Sequence, residues 1–217
     1  MQKQAFSITP RQRDLLSLIY EYIQTSGYPP TFEDMRAGLK VKSNQSVIDL
    51  LAKLTDARYL KRDEGARSLT VLPLGYQALG KPLLAPFIGA ASAGVPIEAI
   101  PIHGQWKSIP SVHDQFDRLS EEVFMLRVHG DSMINAGIDD GDAVLVQTKK
   151  EFISGEVVLA QVGDSVTIKR FISQDKPPYV FLKPENPKYE NLLIDDDTEL
   201  KGKIISVFKQ DNWKPVI

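Results

Sequence analysis

Between Leu15 and Leu54 the apolar residues recur every three or four positions. Between Val123 and Phe208 they come instead as short runs broken by Gly, Asp and Pro. The first period is that of helices packed on one face, and the second is that of strands. Thr9-Pro10-Arg11-Gln12 predicts a helix start: Thr9 can cap, Pro10 suits the first helical position, and Gln12 completes a capping box. Leu15, Leu16, Ile19, Tyr20 and Ile23 follow at helical spacing, and Gly27 with Pro29-Pro30 ends the helix. A second, short helix starts at Thr31, with Phe32, Met35 and Leu39 on one side, and Gly38 to Lys42 reads as the turn after it. Ser43 caps a third helix whose apolar stripe is Val47, Leu50, Leu51 and Leu54. Tyr59-Leu60 and Ser68–Leu72 then read as two short strands, with Asp63-Glu64-Gly65 between them.

Helix, helix, turn, helix, hairpin is the order of a winged helix-turn-helix. Such a unit lays one helix in the major groove of DNA and reaches the backbone with its wing. The exposed candidates for DNA contact are Ser43, Asn44, Gln45, Ser46 and Asp49 on the third helix, Lys40 and Lys42 just before it, and Arg67 in the wing. Asn and Gln can pair twice with adenine, whereas Lys and Arg mainly neutralise phosphate. A small helical interaction domain is the other reading of the same order.

The stretch 73–86 carries Pro73, Gly75, Gly80, Pro82 and Pro86, and that density of helix and strand breakers reads as a linker. Beyond it, strands are expected at Val123–Val128, Ala143–Val146, Val157–Val162, Ser165–Ile172, Tyr179–Leu182 and Lys203–Phe208. Gly163-Asp164 suggests a hairpin between the third and fourth of these runs, and Asp139–Asp142 is a strong turn. Strands do not alternate with helices, which disfavours a parallel α/β sheet. The expected fold class is α+β in two domains.

Composition narrows the chemistry. The 217 residues are 42% hydrophobic and 25% charged, as in ordinary globular chains. Residues 1–80 carry net charge +3 and residues 81–217 net −5, so the head is mildly basic and the body acidic. With Cys 0, thiolate catalysis, disulfides and Cys-based zinc sites are excluded. The three His, at 103, 113 and 129, form no close-spaced cluster, which disfavours a His-rich metal site or a Ser-His-Asp triad. No run approaches the roughly 18 apolar residues of a membrane span, and the start lacks a signal-peptide core. A cytoplasmic protein is expected.

In the body, Val128-His129-Gly130-Asp131-Ser132-Met133 sets a Ser directly after a strand and a Gly turn. A Ser so placed can be held exposed beside backbone N–H groups able to stabilise an oxyanion. The same Ser132 can instead merely cap a helical turn at Met133–Ala136. With His scarce, the base available to a Ser nucleophile is a Lys kept neutral by burial. In Ser165–Phe171 alternation puts Lys169 on the face of Thr167 and Phe171, where it is either desolvated beside Phe171 or an ordinary exposed strand lysine. Spacing does not decide between the two.

Taken together, these residues resemble the LexA repressors, self-cleaving regulators of the SOS response. The resemblance spans nearly the whole chain. In the head it rests on Thr9–Gln12, Gly27-Tyr28-Pro29-Pro30-Thr31 and the wing. In the body it rests on Gly130–Met133, Gly137–Asp142, Val166–Arg170 and Leu182–Pro187. It implies a winged helix-turn-helix at 1–72, a linker at 73–88, and a β-rich Ser-Lys peptidase and dimerisation domain at 89–217 with its cleavage loop at 89–98. Ala93-Gly94, with Pro96 beyond it, matches the family's scissile pair. The resemblance further implies Ser132 as nucleophile, neutral Lys169 as general base, and the backbone N–H groups of Asp131 and Ser132 as oxyanion hole. Implied partners are operator double-stranded DNA, a second copy of the chain, and the RecA filament on single-stranded DNA that provokes cleavage. No metal or cofactor and no membrane is implied.

One departure stands in the third helix. Where the best-known members carry Pro-Asn-Ala and paired Glu, this chain has Asn44-Gln45-Ser46-Val47-Ile48-Asp49, so base-edge contacts are expected to differ. A self-cleaving phage-type repressor is the nearest rival, and a non-catalytic, ligand-sensing DNA-binding repressor is the rival from another class. The head argues against a UmuD-type polymerase accessory. A signal peptidase would need a membrane anchor.

Overall fold

The structure, a computed structural model, describes residues 8–62, 69–91, 106–109 and 122–216. Its compact units are 1–84 with 105–122, and 85–104 with 123–217.

The first unit begins with α1 (Pro10–Ser26), α2 (Phe32–Leu39) and α3 (Asn44–Asp56). Thr9 Oγ1 accepts the Gln12 N–H, and Gln12 Oε1 accepts the Thr9 N–H, so the expected capping box is formed. Leu15, Leu16, Ile19, Tyr20 and Ile23 form the buried face of α1, and Met35, Leu39, Val47, Leu51 and Leu54 supply those of α2 and α3. Ser43 caps α3 by accepting the Ser46 N–H. The strands β1 (Leu60–Arg62) and β2 (Leu69–Val71) pair antiparallel with Leu60 opposite Val71.

Two expectations in this unit need correcting. Gly38 is not in the turn but inside α2, which ends only at Lys40 with φ 54°. A Cβ on Gly38 would lie 1.9 Å from Leu18 Cδ1, so the glycine serves close approach of α2 to α1 rather than chain reversal. The stretch 73–88, expected as a linker, holds a helix, α4 (Pro73–Leu79), and the first part of a strand, β3 (Leu83–Ala91). The breakers stand at the helix ends: Pro73 occupies the first turn, where its missing N–H is not needed, and Gly80 is the left-handed residue that stops α4. Tyr76 of α4 packs edge-on against Tyr20 at 6.0 Å and donates its hydroxyl to the Leu84 carbonyl. Gly75 is forced by contact, because a Cβ there would meet the Tyr59 carbonyl oxygen at 2.4 Å.

β4 (Trp106–Ile109), unforeseen in the sequence, also groups with this unit. The Trp106 indole donates to the Gly27 carbonyl, 79 positions away, and Ile109 is buried.

The second unit is mostly antiparallel sheet. Its strands are β5 (Val123–Val128), β6 (Ala143–Thr148), β7 (Val157–Val162), β8 (Ser165–Ser173), β9 (Val180–Lys183), β10 (Leu192–Leu193), β11 (Thr198–Lys209) and β12 (Asn212–Pro215). They run in the order β10-β9-β8-β7-β11-β6-β5-β3, with β12 also on β11. β3 lies parallel to β5 and the other pairs are antiparallel. The Gly163-Asp164 hairpin joins β7 to β8, pairing Val162 with Ser165 as expected. Alternation divides β8 between two apolar clusters. Val166 and Ile168 join the main core with Leu126, Val128, Met133, Val144 and Ile204. Their neighbours Thr167 and Lys169 pair with Ala160 and Val158, which with Leu182 form a smaller cluster.

Candidate active site

β5 delivers the chain to Gly130, whose φ of 92° and N–H bond to Asp140 Oδ1 at 2.7 Å turn it sharply. Asp131 and Ser132 follow, and a short 3-10 turn runs over Ile134–Ala136. Met133, 2% exposed, and Ile138 sink into the main core and pin this segment from below. Ser132 does not cap the turn, which has no side-chain cap bond. Its Oγ instead lies 2.8 Å from Lys169 Nζ.

Lys169 comes from the middle of β8 and is 6% exposed. Its Nζ has three oxygen neighbours: Ser132 Oγ at 2.8 Å, Thr167 Oγ1 at 2.7 Å and the Ile168 carbonyl at 2.9 Å. No carboxylate salt bridge is formed by Lys169 among the described residues. Burial without a counter-charge disfavours the ammonium, and desolvation lowers the Lys169 pKa to about 8. The neutral amine has two N–H bonds and one lone pair. If Thr167 Oγ1 and the Ile168 carbonyl accept those two N–H bonds, the lone pair is left for the Ser132 hydroxyl proton. Such an arrangement makes a hydroxyl nucleophilic near neutral pH. Of the two readings the sequence left open for Lys169, burial is the one observed.

The segment after β9 braces the site. Asn186, itself buried, donates from Nδ2 to the Asp131 carbonyl at 3.0 Å and to Asp131 Oδ2 at 3.1 Å. The Tyr189 hydroxyl donates to Asp131 Oδ1, and this bond is the main reason the Asp131 carboxyl is held below its usual range. Glu185 pairs with the Arg170 guanidinium, and its carbonyl accepts the Asn135 N–H. Sequence reasoning placed Thr167 on the face of Lys169 but gave it no role. Arg170 and Asn186 lie in the stretches Val166–Arg170 and Leu182–Pro187 that carry the resemblance, but they and Tyr189 were given no role, because their partners are distant in the chain.

The other expected site residues fall into two groups. Lys40, Lys42, Ser43, Asn44, Gln45, Ser46 and Asp49 are all exposed, at the start of α3 and in the turn before it. Within that face Gln45 Nε2 donates to Asp49 Oδ1 at 2.8 Å. Arg67, Ala93, Gly94, His103 and His113 lie outside the described residues, whereas His129 is exposed. β3 extends to Ala91, into the span expected as the cleavage loop. Among the described residues no cluster of ligating side chains suits a metal ion, and no helix is long and apolar enough to cross a membrane.

Comparison with known proteins covers both units. The family model described as Peptidase S24-like matches residues 86–205, and that described as LexA DNA binding domain matches residues 6–68. A LexA repressor of Bacillus velezensis is 34% identical over 206 residues, covering 93% of this chain and 97% of the relative. One from Lactobacillus gasseri is 32% identical over 204 residues, 93% of this chain and 96% of the relative. One from Clostridium kluyveri is 30% identical over 200 residues, with shares of 92% and 96%.

Proposed function

This chain belongs to the LexA repressor family, and from that premise we propose that Ser132 and Lys169 are the nucleophile and base with which it cuts its own Ala93-Gly94 bond. The protein is a LexA-type SOS repressor, a DNA-binding protein with the self-cleaving serine peptidase activity of that type. The observation that carries the residue assignment is the 2.8 Å contact between a buried lysine and a serine hydroxyl.

The chemistry runs as acyl transfer. Neutral Lys169 takes the proton of Ser132 as Oγ attacks the Ala93 carbonyl carbon. The backbone N–H groups of Asp131 and Ser132 stabilise the oxygen that becomes negative. Collapse breaks the Ala93-Gly94 bond, and the Gly94 amine leaves with the proton held by Lys169. Lys169 then deprotonates a water that attacks the Ala93–Ser132 ester, giving an Ala93 carboxylate and restoring the hydroxyl. The substrate is the protein's own chain, so the entropic cost of bringing the reactants together is met by covalent attachment.

The wider reading is of the same kind. A domain at 1–72 binds operator DNA through the start of α3, with Lys40, Lys42 and Arg67 on phosphates and Asn44 and Gln45 toward bases. The unit containing β5–β12 carries the peptidase and the contact with a second copy of the chain. A RecA filament on single-stranded DNA provokes cleavage, in the cytoplasm. The exposed polar face of α3 and the mildly basic head support the DNA half of this reading.

The test is to incubate purified full-length protein at alkaline pH and weigh the products. The expected fragments are 1–93 and 94–217, with none from Ser132→Ala. Intact wild-type protein, or a different primary cut, sinks the assignment of bond and nucleophile.

A further inference from the structure

Asn186 spends its entire carboxamide on one residue of the catalytic turn and on its own loop. Its Nδ2 donates to both the carbonyl and the carboxylate of Asp131, at 3.0 and 3.1 Å, and its Oδ1 accepts the Lys188 N–H at 3.1 Å. It is 5% exposed, and a buried amide left unsatisfied is costly, so this geometry is held firmly. The Asp131 carbonyl belongs to the same peptide plane as the Ser132 N–H. In a trans peptide those two groups point in opposite directions. Whatever fixes the carbonyl therefore aims the N–H.

We propose that Asn186 is a positioning residue for self-cleavage: by holding the Asp131 carbonyl, it turns the Ser132 N–H toward the oxygen that becomes negative during attack. The proposal rests on the reading of Ser132 as nucleophile. A second contact keeps the turn in place, since the Ile134 N–H also reaches the Asp131 carbonyl, at 3.2 Å. Ile134 is three residues along the same turn and moves with it, whereas Asn186 comes from 55 positions away and ties the turn to the sheet. The tie continues to the other half of the dyad. Glu185, next to Asn186, pairs with Arg170, next to Lys169. The Pro184–Tyr189 segment thus ties the turn that carries Ser132 to the middle of β8, which carries Lys169.

A donor that merely stabilised the fold would affect both partners of the dyad together. A donor that aims the oxyanion N–H affects the height of the rate plateau and leaves the Lys169 titration alone. Full-length wild-type, Ser132→Ala, Asn186→Ala and Asn186→Asp proteins would be compared for self-cleavage rate from pH 6 to 10 and for thermal unfolding. Asn186→Ala is expected to lower the plateau about a hundredfold, the cost of misplacing one oxyanion donor, with the midpoint of the pH profile unchanged. Asn186→Asp keeps the volume of the side chain if Ala proves too disruptive to fold. Its carboxylate cannot donate to the carbonyl, so its plateau should fall at least as far. The proposal is overturned if either folded variant cleaves within about threefold of wild-type at the plateau, or if the Asn186→Ala loss comes with a shifted midpoint. A wild-type protein that fails to cleave, or a Ser132→Ala protein that cleaves normally, would instead remove the nucleophile reading itself.

Discussion

Lys169 Nζ and Ser132 Oγ are 2.8 Å apart although 37 positions separate them in the chain, and the lysine is almost wholly withdrawn from solvent. Closeness alone would not make a base of an ammonium group. What does so is burial with two protein acceptors and, among the described residues, no carboxylate, which lets the amine lose its proton at a pH where a free lysine keeps it.

The first expectation is therefore kinetic. With a pKa of about 8, roughly a tenth of Lys169 is neutral at pH 7, against far less than a hundredth for an unperturbed lysine. Self-cleavage should rise nearly tenfold per pH unit below that value and level off above it. Lys169→Arg should be inactive throughout, since the guanidinium does not deprotonate in this range. Rates from pH 6 to 10 with a folded-state check by circular dichroism measure this. A flat profile in folded protein would count against a lysine base.

The same burial has an energetic signature in the fold. The folded-state pKa of Lys169 lies below its unfolded value, so folding releases a proton between about pH 8 and 10.5. Stability contributed by this group is lowest below pH 8, rises through that window and is level above it. Lys169→Met, which keeps length and removes the titration, should then stabilise the protein at pH 7, by about 1–3 kcal/mol. The gain should shrink toward pH 10.5. Urea unfolding of the variant in a Ser132→Ala background, at pH 7 and pH 10, gives the comparison without cleavage. A gain that is the same at both pH values would mean that the lysine is not buried as a charge.

Much of this was legible in the chain because its causes are local. The capping box at Thr9, the hairpin at Gly163-Asp164 and the strands of the second unit follow from neighbours a few residues apart. The face shared by Thr167 and Lys169 follows from alternation alone. The failures have a common physical cause. Pro73 and Gly80 were read as breakers when they stand at the two ends of α4, because a cap and a break use the same residues. The Trp106 anchor on Gly27 and the brace at Asn186 are bonds spanning 79 and 55 positions, and no local pattern announces a partner that far away. The burial of Lys169 was undecidable for the same reason: whether a strand lysine is covered is set by what lies across the sheet.

The last expectation concerns the head. One recognition helix reads only a few base pairs, so tight operator binding needs two heads on a two-fold site. Holding two heads together raises the effective concentration of the second once the first is bound, worth roughly 10²- to 10⁴-fold. Cutting at Ala93-Gly94 would separate each head from the unit proposed to pair the copies. On an operator selected in vitro with intact Ser132→Ala protein, self-cleaved wild-type protein should keep weak, salt-sensitive affinity and lose most of its operator affinity at low concentration. Side chains on α3 divide the remaining energy. Gln45→Ala should weaken operator binding more than random-DNA binding, whereas Lys42→Ala should weaken both about equally. Because Gln45 donates to Asp49 in the free protein, Asp49→Ala should release the amide and remove a negative charge from the DNA-facing surface, strengthening binding to both DNAs. Titrations of both DNAs at two salt concentrations measure all four. Equal operator affinity before and after cleavage would mean that cleavage is not the switch.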